Sequence, residues 1–410
     1  MFYNESMNKR EYPLITITEK GEKFLNAGNS WVYEDEVVDA LGELLEGSIV
    51  DVCSKKGKYL GTGFYCGVSK IKVRIFSNNT SDIYDEEFFK RRVKYAIDYR
   101  LTVMQDIENC RIIFGDADGF PGLTVDKYND ILVSQITTVG IEKRKDIIFE
   151  ALLETFNEIG ICINAIYERN DVKSRQLDGL SLYKDYYYAS DSFDKNTKET
   201  IITENGIKYF VDFVDGQKTG FFLDQKFNRE LVSKIVKGKK VLDCFTHTGS
   251  FGLNCVRGGA SKVTSVDISE LAIEQSKRNA ALNGMSDKID FVCADVFEYL
   301  DSINKKDYDL IILDPPAFTK SRDTVKSAYN GYKHINSKAM SLLGKGGYLV
   351  TCSCSHFMNE ELFVKMLLDA AKENNVSLKQ ISYSQQGKDH PIVLSDKQSD
   401  YLKFYILQLS

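Results

Sequence analysis

No stretch of this chain holds about 18 consecutive apolar residues, the length a helix needs to cross a bilayer. The opening residues, MFYNESMNKREYP, lack the apolar core of a secretory signal, so a soluble cytoplasmic chain with no membrane partner is expected. Neither an internal repeat nor a low-complexity tract is present. The nine cysteines form no Cys-x-x-Cys pair and show no His spacing that suggests zinc, so reduced thiols and no metal are expected. Basic excess is missing as well: 53 Lys and Arg stand against 59 Asp and Glu, a net charge of −6. That balance argues against a general electrostatic nucleic-acid binder, although KRRVKYAIDYR, Lys90 to Arg100, is a local basic run.

What is there is a globular composition. With 43% hydrophobic and 27% charged residues over 410 positions, a sizeable core and two or three domains are expected. Up to about residue 75 the chain reads as short strands, LITIT, SIVDVCS, LGTGFYC and IKVRIF, with Gly-containing turns, as in a small barrel. DEEFFKRRVKYAIDYRLTVMQD carries helical periodicity, acidic first and basic later, which suits the helix dipole. Strand patterns (LTVDKYND, ILVSQITTV, INAIYER, KYFVDFV) then surround one helix, IIFEALLETFNE; the aromatic block YKDYYYASDSFDKNTKE is expected as a loop.

From Lys239 the grammar changes. KKVLDCF, KVTSVDI, KIDFVCAD, YDLIILDPP and GGYLVTCSC are apolar strands alternating with helices, which predicts a doubly wound, mostly parallel sheet. VSLKQISYS and YLKFYILQL would close one edge as an antiparallel pair. The expected fold class is α/β: a Rossmann-like C-terminal sheet (201–410) after a small β-barrel (1–78) and a linker helix with a central α+β block (79–200).

VLDCFTHTGSF ends a strand with Asp243, turns through Gly249 and enters a helix. About 20 residues later VDIS puts Asp267 at the next strand end, where an acid can hold a ribose hydroxyl pair. Of the glycines in a dinucleotide turn only Gly249 is found, which suits a cofactor lacking a pyrophosphate. S-adenosylmethionine has an amino acid in place of the phosphates, and its ammonium wants a carboxylate. Asp295, in CAD, would sit near the adenine. The fourth strand ends DPPAF, where Asp314 and two prolines form a rigid edge with a stacking surface and a hydrogen-bond partner for a base. Singly, each acid also fits an ordinary capped α/β turn; the ordered series points to a cofactor.

In this order, DCFTHTGSF, VDIS, CAD and DPPAF resemble a class I S-adenosylmethionine-dependent methyltransferase. DGFPGLTVDKYND, YERNDVKSR, VDGQKTGFFLDQKFNR, SCSHFM and DHP extend the likeness over nearly the whole chain, to the RlmI type of bacterial 23S rRNA cytosine-5 methyltransferase. The resemblance implies an N-terminal PUA-like RNA-binding barrel, a central RNA-facing domain and a catalytic domain. By position, it implies that Asp243, Phe245, Thr248, Gly249 and Ser250 line the methionine end of the cofactor. Asp267, Ile268 and Ser269 would take the ribose, Asp295 and Val296 the adenine side, and Asp314 and Pro315 the edge shared with the substrate. Lys218, Gly220, Phe222 and Asp224, in GQKTGFFLDQ, would lie over the cofactor. Pro316, Phe318 and His390 would meet the base. Apart from the resemblance, Lys90, Arg91 and Arg92 of the basic run are candidate phosphate contacts, with a solvated helix face as the equal alternative. The implied partners are 23S rRNA and a second copy in a homodimer.

The resemblance also implies a nucleophile at Cys354, in TCSCSH. C5 of cytosine is too electron-poor to attack a sulfonium methyl, and a thiolate adding at C6 turns it into an enamine-like nucleophile. Cys352 is a departure from the pattern, as is His356. Two residues apart in an extended strand, both thiols would share a face, and Cys354 lies nearer the carboxyl edge where ligands bind. His356 and His390 are candidate bases, each with a structural role as its competitor. Two other readings stay open: methylation of an exocyclic base amine without a thiol, and a non-catalytic RNA-binding assembly factor.

Overall fold

Alternating apolar side chains of the first strands converge on one small core that includes Ile15, Ile17, Val32, Val50, Val52 and Val73. The computed structural model describes residues 10–303, 307–319 and 321–410. These fall into two units. One holds the described residues up to Thr200 with 211–223 and 388–399; the other holds the described residues of 201–210, 224–387 and 400–410.

The first unit begins with a six-stranded sheet in the order Trp31–Tyr33, Ile71–Ser77, Tyr59–Tyr65, Ile49–Ser54, Leu14–Ile17, Val37–Leu41. The expected strands are all present, and Trp31–Tyr33 and Val37–Leu41 add to them. A second sheet of five strands follows, in the order Tyr183–Ala189, Ala165–Asn170, Ile131–Ile136, Leu123–Tyr128, Asn109–Phe114. Its one parallel pair, Ile131–Ile136 with Ala165–Asn170, is joined through the helix Lys145–Glu158. The aromatic block expected as a loop supplies the edge strand Tyr183–Ala189. Tyr186 packs on Tyr167 with ring centroids 4.8 Å apart, and Tyr187 on Phe149 at 4.7 Å. Cross-strand aromatic contact, invisible in the local pattern, makes this segment a strand.

The second unit is built on seven strands: β1 (Lys240–Cys244), β2 (Lys262–Asp267), β3 (Ile289–Cys293), β4 (Tyr308–Leu313), β5 (Leu343–Ser353), β6 (Leu378–Ser384) and β7 (Lys403–Leu409). They lie in the order β3-β2-β1-β4-β5-β7-β6, parallel except for β7, which is antiparallel to both neighbours. Continuous apolar runs suit strands covered on both faces: Val241, Leu242, Leu310, Ile311, Ile312 and Leu313 are all fully buried. The helix Val325–Leu342, which the sequence reading did not identify, packs Tyr332, Ile335 and Ala339 into the same core. Strand order reverses between β1 and β4, and in such sheets ligands bind outside the carboxyl ends at that point. Among the described residues no helix is long and apolar enough to cross a membrane.

Candidate active site

Register sets the carboxyl edge. Cys244 of β1 lies opposite Val266 and Leu313, and Leu313 opposite Thr351 of β5. The expected acids therefore emerge side by side at one end of the sheet. Asp243 is 1% exposed, and its Oδ2 accepts from the Thr246 hydroxyl and from Gly252 N at 2.9 Å. Its Oδ1 has no hydrogen-bond partner among the described residues, and neither does Thr248 Oγ1. Burial pushes the Asp243 carboxyl up to about 7, against the pull of those two donors. The turn that follows is strained: Phe245, His247 and Gly249 all have positive φ, at 63°, 50° and 79°. A bulky residue such as Phe245 adopts that region only where its surroundings enforce it.

Asp267, at the end of β2, accepts from His247 N and Ser269 N, each at 2.9 Å, so one main-chain donor holds each oxygen. A second lone pair per oxygen is left for a hydroxyl pair. The next residue, Ile268, is exposed, and Ser269 caps the following helix through Ala272 N. Asp295 has one oxygen engaged in capping the helix Val296–Ser302, through Phe297 N at 2.8 Å and Glu298 N at 3.2 Å. Val296 is buried.

Asp314 follows β4 directly. Gln225 Nε2 donates to its Oδ1 at 3.1 Å, and the thiol of Cys352 hydrogen-bonds the same carboxyl. Gln225 is in turn fixed by Asn228, at 2.7 Å, and Asn228 by the Ser384 hydroxyl, at 2.7 Å. Burial pushes the Asp314 carboxyl up to about 6, reinforced by the negative charge of Asp224 and opposed by Arg229. Pro315 is buried, Pro316 is exposed, and the Phe318 ring packs on Tyr332 at 4.5 Å and edge-on to Phe245 at 6.5 Å.

The two thiols separate here. Cys352 is fully buried, and burial with Asp314 alongside raises its thiol well above the ordinary range. Strand β5 ends at Ser353, so Cys354 lies beyond the pleat and the expected shared face does not apply. Cys354 is partly exposed, and its neighbours on both sides are braced. The Tyr332 hydroxyl meets Ser353 Oγ at 3.0 Å and Ser355 Oγ at 3.1 Å. Lys403 Nζ donates to Ser355 O at 2.8 Å. Sequence reasoning missed Gln225, Tyr332 and Lys403. Lys403 left a local signal as the one charge in KFYILQL, and Gln225 as the last residue of GQKTGFFLDQ; Tyr332 left none.

Other expected site residues lie in the first unit. Lys218, with φ of 52°, holds its Nζ 4.4 Å over the Phe222 ring, and Gly220 has φ of 128°. Asp224, of the same turn, belongs to the second unit and accepts from the Tyr401 hydroxyl at 2.6 Å. His390 is 2% exposed, with Nδ1 2.9 Å from Asp389 Oδ1 and its ring against Phe114, a structural position that offers no surface to a base. The basic run is largely engaged within the protein. Arg100 is fully buried and forks onto Asp118 at 2.7 and 2.8 Å. Arg92 donates to Gly119 O at 3.0 Å and lies over Phe88, while Lys90 meets Glu154 at 3.3 Å and Arg91 meets Asp82 at 3.8 Å. Arg91 alone of the three expected phosphate contacts is well exposed.

Asp243, with a buried oxygen lacking a donor, suits an ammonium, and Asp267 suits a ribose; the strand-end set fits S-adenosylmethionine. Among the described residues no group of three or more His, Cys, Asp or Glu side chains is arranged to hold a metal ion. Residues 177–396 match the family described as S-adenosylmethionine-dependent methyltransferase, and residues 15–78 match a PUA-like domain. The chain is 36% identical over 399 residues to ribosomal RNA large subunit methyltransferase I of Aeromonas salmonicida, covering 96% of this chain and 98% of that one. To the Shewanella denitrificans protein of that name it is 38% identical over 388 residues, covering 93% and 96%. The solved structure of SMU.776, complexed with SAH, shares the fold with a TM-score of 0.81 at 22% identity, over 96% of this chain and 99% of that one. The chain thus belongs to the S-adenosylmethionine-dependent methyltransferases, in the family of ribosomal RNA large subunit methyltransferase I.

Proposed function

We propose that this protein methylates C5 of a cytosine in 23S ribosomal RNA through a covalent adduct on Cys354. The contrast between its two edge thiols carries the reading: Cys352 is sealed in and kept protonated by burial, whereas Cys354 is partly open just past β5. A methyltransferase acting on an exocyclic amine has no use for a braced, accessible thiol there. The large-subunit RNA substrate is the one named for the curated relatives, and a PUA-like segment accords with it.

Bound S-adenosylmethionine supplies the methyl group. Asp243, Phe245, Thr248, Gly249 and Ser250 would hold its amino-acid end, Asp267, Ile268 and Ser269 its ribose, and Asp295 and Val296 its adenine side. The Cys354 thiolate adds to C6 of the base, and the electron pair of the C5–C6 double bond is delocalised toward N3 and O2, which makes C5 nucleophilic. Asp314, with a carboxyl poised near neutrality, hydrogen-bonds the N3/N4 edge and stabilises the ring through addition. Pro316 and Phe318 supply apolar surface for the base. Once C5 is methylated, loss of its proton to a base and expulsion of the thiolate break the S–C6 bond and restore the aromatic ring.

RNA containing 5-fluorocytosine tests this, because fluorine at C5 blocks the elimination. Incubation with S-adenosylmethionine should leave an RNA–protein adduct that survives denaturation and maps to Cys354 by mass spectrometry. An adduct absent in the wild type, or retained in Cys354→Ala, would overturn the proposal.

A further inference from the structure

Lys403 is a buried lysine that, among the described residues, has no carboxylate in an ion pair with it. It is 4% exposed, it opens β7 opposite Ser353, and the rest of that strand is apolar and buried apart from Gln408. Its Nζ donates to two main-chain carbonyls, Ser355 O at 2.8 Å and Tyr401 O at 2.9 Å. An ammonium has three protons to donate, so one is unassigned. Burying a charge is costly unless an anion offsets it, and among the described residues no carboxylate forms an ion pair with this one. Burial pulls the Lys403 ammonium down to about 8, and the negative groups that oppose this are Cys354, Asp400 and Glu360, with Cys354 foremost. Glu360 accepts from the Tyr405 hydroxyl at 3.0 Å. Lys403, Tyr332 and Cys352 each interact electrostatically with Cys354, and Lys403 is the cation among those three.

We infer that Lys403 is the counter-ion of the Cys354 thiolate, a positioning residue that favours loss of the thiol proton to solvent and fixes the turn carrying the sulfur. The inference rests on the proposed role of Cys354. No proton transfer to the substrate is assigned to Lys403. Its bonds to Ser355 O and Tyr401 O hold the ammonium on the residue that follows Cys354, within electrostatic reach of the thiol, where it can stabilise the thiolate.

The test is the pH dependence of Cys354 alkylation by iodoacetamide, read by peptide mass spectrometry in the wild type, Lys403→Met and Lys403→Arg. S-adenosylmethionine binding by calorimetry confirms that each variant is folded. Lys403→Met should move the alkylation midpoint up by about one pH unit, a tenfold loss of thiolate at neutral pH, and Lys403→Arg should restore most of it. An unchanged midpoint in folded Lys403→Met overturns the inference, whatever Cys354→Ala does to methyl transfer. If Lys403→Met does not fold, the gap in melting temperature between wild type and Cys354→Ser decides. It should widen from pH 6 to pH 8 as the thiolate forms; a gap independent of pH overturns the inference.

Discussion

Asp243 and Asp314 are single residues whose surroundings oppose their charge. Burial lifts one to about 7 and the other to about 6, from an ordinary value of 3.8. Between pH 3.8 and those values the native protein keeps protons that the unfolded chain has released. Stability of the cofactor-free protein should therefore fall as pH rises through that window, by about 1.4 kcal/mol per unit for each group while it titrates. Thermal melts should show that slope, reduced in Asp243→Asn; equal slopes in the two proteins would contradict the account. An ammonium seated on Asp243 reverses its preference. Binding of S-adenosylmethionine should release a proton near pH 6.5, seen by calorimetry in buffers of different ionisation heat, and proton uptake would contradict the assignment.

At the scale of elements, the site depends on how closely the helix Ser250–Arg257 approaches its neighbours. Gly258, just past its end, leaves no room for a side chain: a Cβ there would lie 2.1 Å from the main-chain oxygen of Ser233. Because that oxygen belongs to the backbone of the helix Lys226–Ser233, it cannot rotate away. Gly258→Ala should cost about 1–3 kcal/mol in denaturant titrations and weaken cofactor binding with it. A variant as stable as the wild type would show that the helix has slack. Much of this architecture was legible in the sequence. The strands that lead to Asp243 and Asp314 announce themselves because a strand buried on both faces must be a continuous apolar run. Tyr183–Ala189 was not legible, since its identity as a strand comes from rings on other elements. The sequence favoured Cys354 over Cys352 by its place nearer the carboxyl edge; the difference in burial was not legible, because it depends on where β5 stops and on which side chain reaches Asp314. The basic run at Lys90 to Arg100 stayed ambiguous for the same reason: charge in a sequence does not say whether its partner is a phosphate or Glu154 and Asp118.

For the whole molecule, a net charge of −6 and a basic run largely paired with acids of the same protein leave little general field for nucleic acid. On the proposed reading, recognition of RNA then falls to shape and to a few placed groups, and chemistry to one braced sulfur at the edge of a seven-stranded sheet. The most direct measurement is transfer of tritiated methyl groups from S-adenosylmethionine to large-subunit ribosomal RNA from a methylation-deficient strain, followed by nucleoside analysis. The account predicts label in 5-methylcytidine with the wild-type protein and none with Cys354→Ala. Label in any other nucleoside, or undiminished transfer by Cys354→Ala, would contradict it.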